Sequence, residues 1–127
     1  MHTYRIDSPR RLVLATWRGT LSAEEISKWQ AALAADPAFD PSLALITDIR
    51  TASLAEVTPP DVRQHAEEDP FGPETPRAIV VSNDANYGVA RMFEAYSELA
   101  RNKGPVRTFR DPESAWAWIE SVRSGRH

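Results

Sequence analysis

Polar and apolar residues alternate from Thr3 to Asp7, with Tyr4 and Ile6 on one side, the pattern of a half-buried strand. Ser8-Pro9-Arg10 interrupts it, because proline cannot donate to a ladder. Leu12 to Trp17 is almost continuously apolar, as in a strand covered on both faces. So short a break predicts an antiparallel hairpin. Ser22-Ala23-Glu24-Glu25 reads as a capping box, the serine accepting from the Glu25 backbone and the Glu25 side chain reaching back. Ile26, Trp29 and Leu33 follow at helical spacing with Ala32 beside them, and Asp36-Pro37 closes this helix.

Leu43 to Ile46 is the next buried strand, ended by Thr47-Asp48, and residues 51–57 read as an irregular loop. Thr58-Pro59-Pro60-Asp61 starts a short helix, with Thr58 as cap, proline in the first turn, and Val62 and Ala66 facing inward. Asp69 to Pro73 ends it. Ala78 to Val81 is a third buried strand, stopped by Ser82-Asn83-Asp84. The strongest periodicity follows: Val89, Met92, Phe93, Tyr96, Leu99 and Ala100 predict a helix over 86–103, terminated by Gly104-Pro105. Phe93, in the middle of that stripe, is expected to be fully buried, so that Phe93→Ala costs about 3–5 kcal/mol. Val106 to Phe109 reads as an edge strand with Arg107 between apolar neighbours. Asp111 caps a last helix with Pro112 in its first position and Ala115, Trp118, Ile119 and Val122 on its inner face. The order ββαβαβαβα predicts one α/β domain over residues 1–127. Its sheet is mixed and mostly parallel, with about five strands and four helices, and residues 123–127 form a flexible tail.

Thr47-Asp48 after a buried strand, Asn86-Tyr87-Gly88-Val89-Ala90-Arg91-Met92-Phe93 opening a long helix, and Val106-Arg107-Thr108-Phe109-Arg110-Asp111 leading into Ala115-Trp116-Ala117-Trp118-Ile119 together resemble the STAS-like domain family. The likeness is to its SpoIIAA-like (STAS/SEC14) branch. That resemblance covers most of the chain. It implies a noncatalytic regulatory or protein-interaction domain of bacterial type, acting on a protein partner or as a homodimer. The SEC14 side of the resemblance implies the alternative, a carrier of a small apolar or lipid-like ligand. Phosphoregulated members resemble one another in an Asp-Ser-Ser-Gly type motif at the second helix. Here that region reads Glu56-Val57-Thr58-Pro59-Pro60. Thr58 is the only positional candidate for modification, and without the acidic neighbour and the glycine it is expected to be a plain cap.

Composition narrows the chemistry. The chain has 127 residues, 42% of them hydrophobic and 26% charged, as in an ordinary globular domain. A net charge of −3 gives no basic footprint for nucleic acid. The absence of cysteine removes disulfides, thiolate zinc sites and a cysteine nucleophile. Charges through the first twenty residues and the lack of a long apolar run predict neither a signal peptide nor a membrane span, so the cytoplasm is the expected location.

His2 and His127 are terminal and His65 lies alone on a short helix, so no metal site is expected. No nucleophile elbow, Walker loop or dinucleotide fingerprint occurs, and neither catalysis nor a cofactor is expected. In open α/β sheets ligands sit beyond the carboxyl ends of the strands. That rule gathers Asp48, Arg50, Ser82, Asn83 and Asp84 with Tyr87 and Arg91 of the following helix, and Asp48, Asn83, Tyr87 and Arg91 are the candidate ligand- or partner-binding residues. Two accounts stay open: a recognition site, or an Asp48–Arg91 pair and helix caps that only hold the fold. The aromatics Trp29, Phe93, Tyr96 and Trp118 are read as core. Trp116 lies off its helix's inner face, where core packing, a dimer contact, or a pocket between the last helices and the sheet would use it.

Overall fold

The computed structural model describes residues 2–100 and 104–125. Its elements run β1 (His2–Asp7), β2 (Leu12–Thr20), α1 (Ala23–Ala35), β3 (Ala44–Ser53), α2 (Pro59–Glu68), β4 (Arg77–Val80), α3 (Asp84–Leu99), β5 (Val106–Phe109) and α4 (Pro112–Arg123). The five strands lie in the order β1-β2-β3-β4-β5. β1 is antiparallel to β2, and every other neighbouring pair is parallel. Each crossover between parallel strands is right-handed almost without exception. A sheet that adds its strands always in the same direction therefore puts all its crossover helices on one face. Accordingly α1, α2 and α3 contact one another in series, while α4, which follows the last strand, packs on β3, β4 and β5 from the other side.

Strand alternation divides the core between the two faces. Val13, Ala15, Trp17, Leu45 and Ile49 point under the three helices with Trp29, Leu33, Val62 and Ala90. Leu12, Ala44, Ile46, Ala78 and Val80 face Ala115 and Ile119 of α4. The helix starts are the capped ones the sequence predicts: Ser22 Oγ accepts from Glu25 N at 3.1 Å and Asp111 Oδ1 from Ser114 N at 2.7 Å. Thr58 and Asp61 form a reciprocal box, each side chain accepting from the other's backbone nitrogen.

Four expectations need correction. β3 does not end at Thr47-Asp48 but continues to Ser53 alongside an extended β2, past a register shift between Thr16 and Arg18. Pairing partners beyond the apolar run keep the strand going where composition alone suggests a loop. α3 ends at Leu99, with Ala100 as its C-cap; Leu99 is 81% exposed, so the stripe stops at Tyr96, and residues 101–103 lie outside the described part. Gly104 serves packing, since a Cβ there would collide with the Thr75 backbone. Arg123 closes α4 and donates to the carbonyls of Arg10, at 2.6 Å, and Arg11, which ties the helix to the first hairpin turn; the rest of the expected tail includes residues 126–127, outside the described part.

The fourth correction concerns Phe93, which is half-buried, as are Tyr96 and Trp118. Phe93→Ala is therefore expected to cost below about 3 kcal/mol. Leu33→Ala, at a position with no exposure, is expected to cost about 2–5 kcal/mol. Urea denaturation of the two variants checks the order; a larger loss for Phe93→Ala would contradict it.

Candidate functional site

The residues singled out at the strand ends do not converge. The Asp48 carboxylate accepts from Arg50 N at 3.0 Å, Nε at 3.0 Å and Nη2 at 2.8 Å, a closed unit between residues two apart. Arg50's hydrogen bonds hold the Asp48 carboxyl below its usual range, with desolvation opposing. Arg91, exposed, lies 3.8 Å from Glu94 rather than against Asp48. Its pKa is raised first by a hydrogen bond with Tyr87 and then by the Glu94 charge. Asn83 caps α3 by accepting from Asn86 N at 2.8 Å. Tyr87 packs half-buried on the core, with the Arg110 guanidinium 4.9 Å from its ring centre. The topology explains the dispersal. A crevice at the strand ends forms where successive crossovers leave in opposite directions, and strands in the order 2-3-4-5 give no such reversal.

A different site lies inside the molecule. Beneath α1, α2 and α3 is a cavity of about 110 Å³. Its floor includes Thr47 of β3 and Ile79 of β4, register partners in the sheet that keep accessible surface although helices cover that face. Trp17, Trp29, Leu45, Ile49, Leu54 and Val62 form much of its wall. Ile26 of α1 and Val89 and Phe93 of α3 are half-buried lining residues and make the rim. For Trp116 the sequence left open core packing, a dimer contact, or an apolar pocket between the last helices and the sheet. The cavity is instead on the face away from α4, and Trp116 is half-buried on α4 with the Arg10 guanidinium 5.6 Å from its ring centre.

Polar side chains stand around this apolar hollow, but their atoms present almost none of its surface. Of the six buried side-chain polar atoms without a hydrogen-bond partner among the described residues, five belong to lining residues: Trp29 Nε1, Gln30 Oε1, both ring nitrogens of His65, and Arg77 Nε. Each orphaned buried group costs about 1–3 kcal/mol, so their concentration around one hollow singles it out. Gln30 Nε2 donates to the His65 carbonyl at 2.9 Å, which fixes the amide orientation and leaves Oε1 as the unused acceptor. Arg77, 1% exposed, pairs with Asp69 through Nη1 and donates from Nη2 to the Gly104 carbonyl at 2.6 Å. Asp69 also accepts from Phe71 N at 2.9 Å. His65 is 3% exposed, and burial lowers its pKa, with the charges of Asp61 and Glu68 opposing. Among the described residues no cluster of three His, Asp or Glu side chains is placed to hold a metal ion.

These residues were missed because they carry no local motif and lie on three separate elements. One signal was present: Val62, His65, Ala66 and Asp69 repeat at i, i+3, i+4 and i+7, which puts two ionisable groups on the inward stripe of α2. Asn86 was missed as well. Its buried amide accepts from Leu54 N at 3.1 Å and donates to Ala52 O at 2.9 Å, and so pins the end of β3 to α3.

No family model matches the chain, and no curated protein matches it. Among solved structures it is similar to an uncharacterized protein of the DUF3478 family with a SpoIIAA-like fold from Shewanella loihica PV-4, over 93% of each chain, with a TM-score of 0.58 and 16% identity. The fold of this chain is SpoIIAA-like, as the sequence resemblance implied.

The depressed His65 pKa makes stability depend on pH. The unfolded chain binds a proton at the ordinary histidine value, near 6.5, while the folded chain does not. Stability from this group is whole above that value and falls as pH drops below it towards the folded pKa. The urea midpoint is expected to fall from pH 7.5 to pH 5.5 by more in the native protein than in His65→Phe; equal falls would contradict the assignment. Arg91→Ala is expected to leave the midpoint at neutral pH unchanged, because Arg91 is exposed; a large loss would restore the buried Asp48–Arg91 pair.

Proposed function

We propose that this domain is a noncatalytic regulatory module whose input is a small, mainly apolar molecule held beneath α1, α2 and α3. The observation that carries the reading is the hollow itself, an apolar chamber left open beneath three helices. At about 110 Å³ it is smaller than the apolar cavity of roughly 150 Å³ that takes benzene, so an occupant is at most one small ring. Binding is the use this polar set favours. An indole and a primary amide are neither general acids nor bases, and a base such as His65 needs an activated nucleophile within hydrogen-bond reach.

Three elements with no direct covalent continuity meet at the chamber, so an occupant that packs against α1, α2 and α3 together favours one arrangement of them. That supports a regulatory output through the outer faces of those helices to a protein partner. A phosphate input on Thr58 has less in its favour. Its hydroxyl and the Asp61 carboxylate already satisfy each other's backbone nitrogens, and a phosphate would be set against that carboxylate.

Titration of the labelled protein with benzene, toluene and phenol tests the reading. At least one is expected to shift backbone amides of α1, α2 and α3 in a saturable way, and Ala90→Leu, which fills the lining from α3, to abolish the shifts while keeping the folded spectrum. Spectra unmoved by all three probes, or shifts that persist in folded Ala90→Leu, would contradict it.

A further inference from the structure

The two faces of the sheet are not covered alike. α4 packs on β3, β4 and β5, which leaves the same side of β1 and of the later part of β2 without a helix. Register identifies the residues of that open half: Thr3 stands opposite Thr16, Arg5 opposite Leu14 and Asp7 opposite Leu12. Leu12 and Leu14 belong to the core beneath α4, so all these positions share its face. Thr3 and Arg5 are exposed, Leu14 and Thr16 are half-buried, and Arg18 is exposed at the far end. A second helix here would complete the layer that α4 begins.

α4 itself has the form of the missing piece. Ala115 and Ile119 seat it on its own sheet. Its opposite side carries Glu113, Ala117 and Glu120, all exposed and spaced i, i+4 and i+7 along one stripe. Trp116 lies half-buried on the flank turned to the open half, packed in the same cluster as Leu14 and beneath the Arg10 guanidinium. The helix has 12 residues, about 18 Å of length. The 6 residues of β1, all paired with β2, span about 20 Å.

The charges of the two surfaces are complementary. On the open half Asp7 already faces Arg10, and Asp48, which shares a surface hollow with Thr16 and Arg18, is closed on Arg50. Arg5 and Arg18 therefore give this half an excess of positive charge. The outer side of α4 is acidic. Arg50 and Arg123 of the same chain lie near Glu113 and Glu120 without closing an ion pair with them among the described residues, and Arg123 is turned to the carbonyls of Arg10 and Arg11.

We infer that the chain pairs with a second copy of itself about a two-fold axis, each α4 lying on the other protomer's β1–β2 half-sheet. The axis runs between the two helices, beside their Trp116 flanks. One surface carries both halves of the contact, so a single rotation satisfies both at once, as an isologous interface requires. The two helices then form one shared layer between two sheets. The chamber and the outer faces of α1, α2 and α3 stay clear of the contact.

Sedimentation velocity of the full chain over a range of concentrations tests this. The native chain is expected to sediment as a dimer. Arg5→Glu and Glu120→Arg, both at exposed positions, are each expected to weaken the dimer by about a hundredfold, because each sets like charges together twice across the axis. The variant carrying both reversals is expected to regain most of the loss. If one single variant does not fold, the other gives the same reading. A native chain with the mass of one copy at every concentration would overturn the inference. So would a dimer that neither reversal weakens, or a combined variant no tighter than the single ones.

Discussion

The buried pair between Arg77 and Asp69 is the interaction on which the rest of this structure turns. Arg77 begins β4, a central strand of the sheet, and Asp69 is the C-cap residue of α2. Their contact fixes where the second helix stops relative to the sheet, and Nη2 reaches on to the Gly104 carbonyl. Gly104 approaches Thr75 so closely that no side chain fits there. A guanidinium this deeply buried is tolerable only with its counter-ion in place, and loss of one partner of such a pair typically costs about 3–5 kcal/mol.

The hollow follows from topology. Right-handed crossovers in a sheet that grows in one direction place three helices on one face and leave the other to α4. On the α4 face, small strand residues such as Ala44 and Ala78 let one helix close the layer, with Ala115 and Ile119 seated against them. On the opposite face the large side chains Trp17 and Trp29 meet edge to face with ring centres 5.6 Å apart. Thr47 and Ile79 lie under the helices without being fully covered. Gln30, bonded to the His65 carbonyl, joins α1 to α2 across this space.

Much of the fold was legible in the sequence because it is written in local patterns. The alternation at Tyr4 and Ile6, the caps at Ser22, Thr58 and Asp111, and the apolar runs at Leu12, Leu43 and Ala78 each mark an element within a few residues. The length of β3 was not legible, since its second half, to Ser53, is held by pairing with β2 and by the Asn86 amide, both distant in sequence. Nor was the end of α3, where Leu99 continues a helical period beyond the layer that could bury it. The site was the least legible part. Asp48 and Arg91 carry complementary charges, yet Asp48 closes on Arg50 and Arg91 lies beside Glu94. Trp29, Gln30, His65 and Arg77 read singly as core or surface, and only the closing of three helices over β3 and β4 brings them together. The ionisable residue on an apolar stripe, His65 between Val62 and Ala66, was the mark they left in the sequence.

The central claim is that this chamber takes a small apolar molecule. Diffraction from a crystal soaked in phenol tests this most directly. One ring is expected there, enclosed by Trp17, Ile49 and Val62. A chamber holding only ordered water, or closed by movement of Phe93 and Ile26 with no room left, would contradict it.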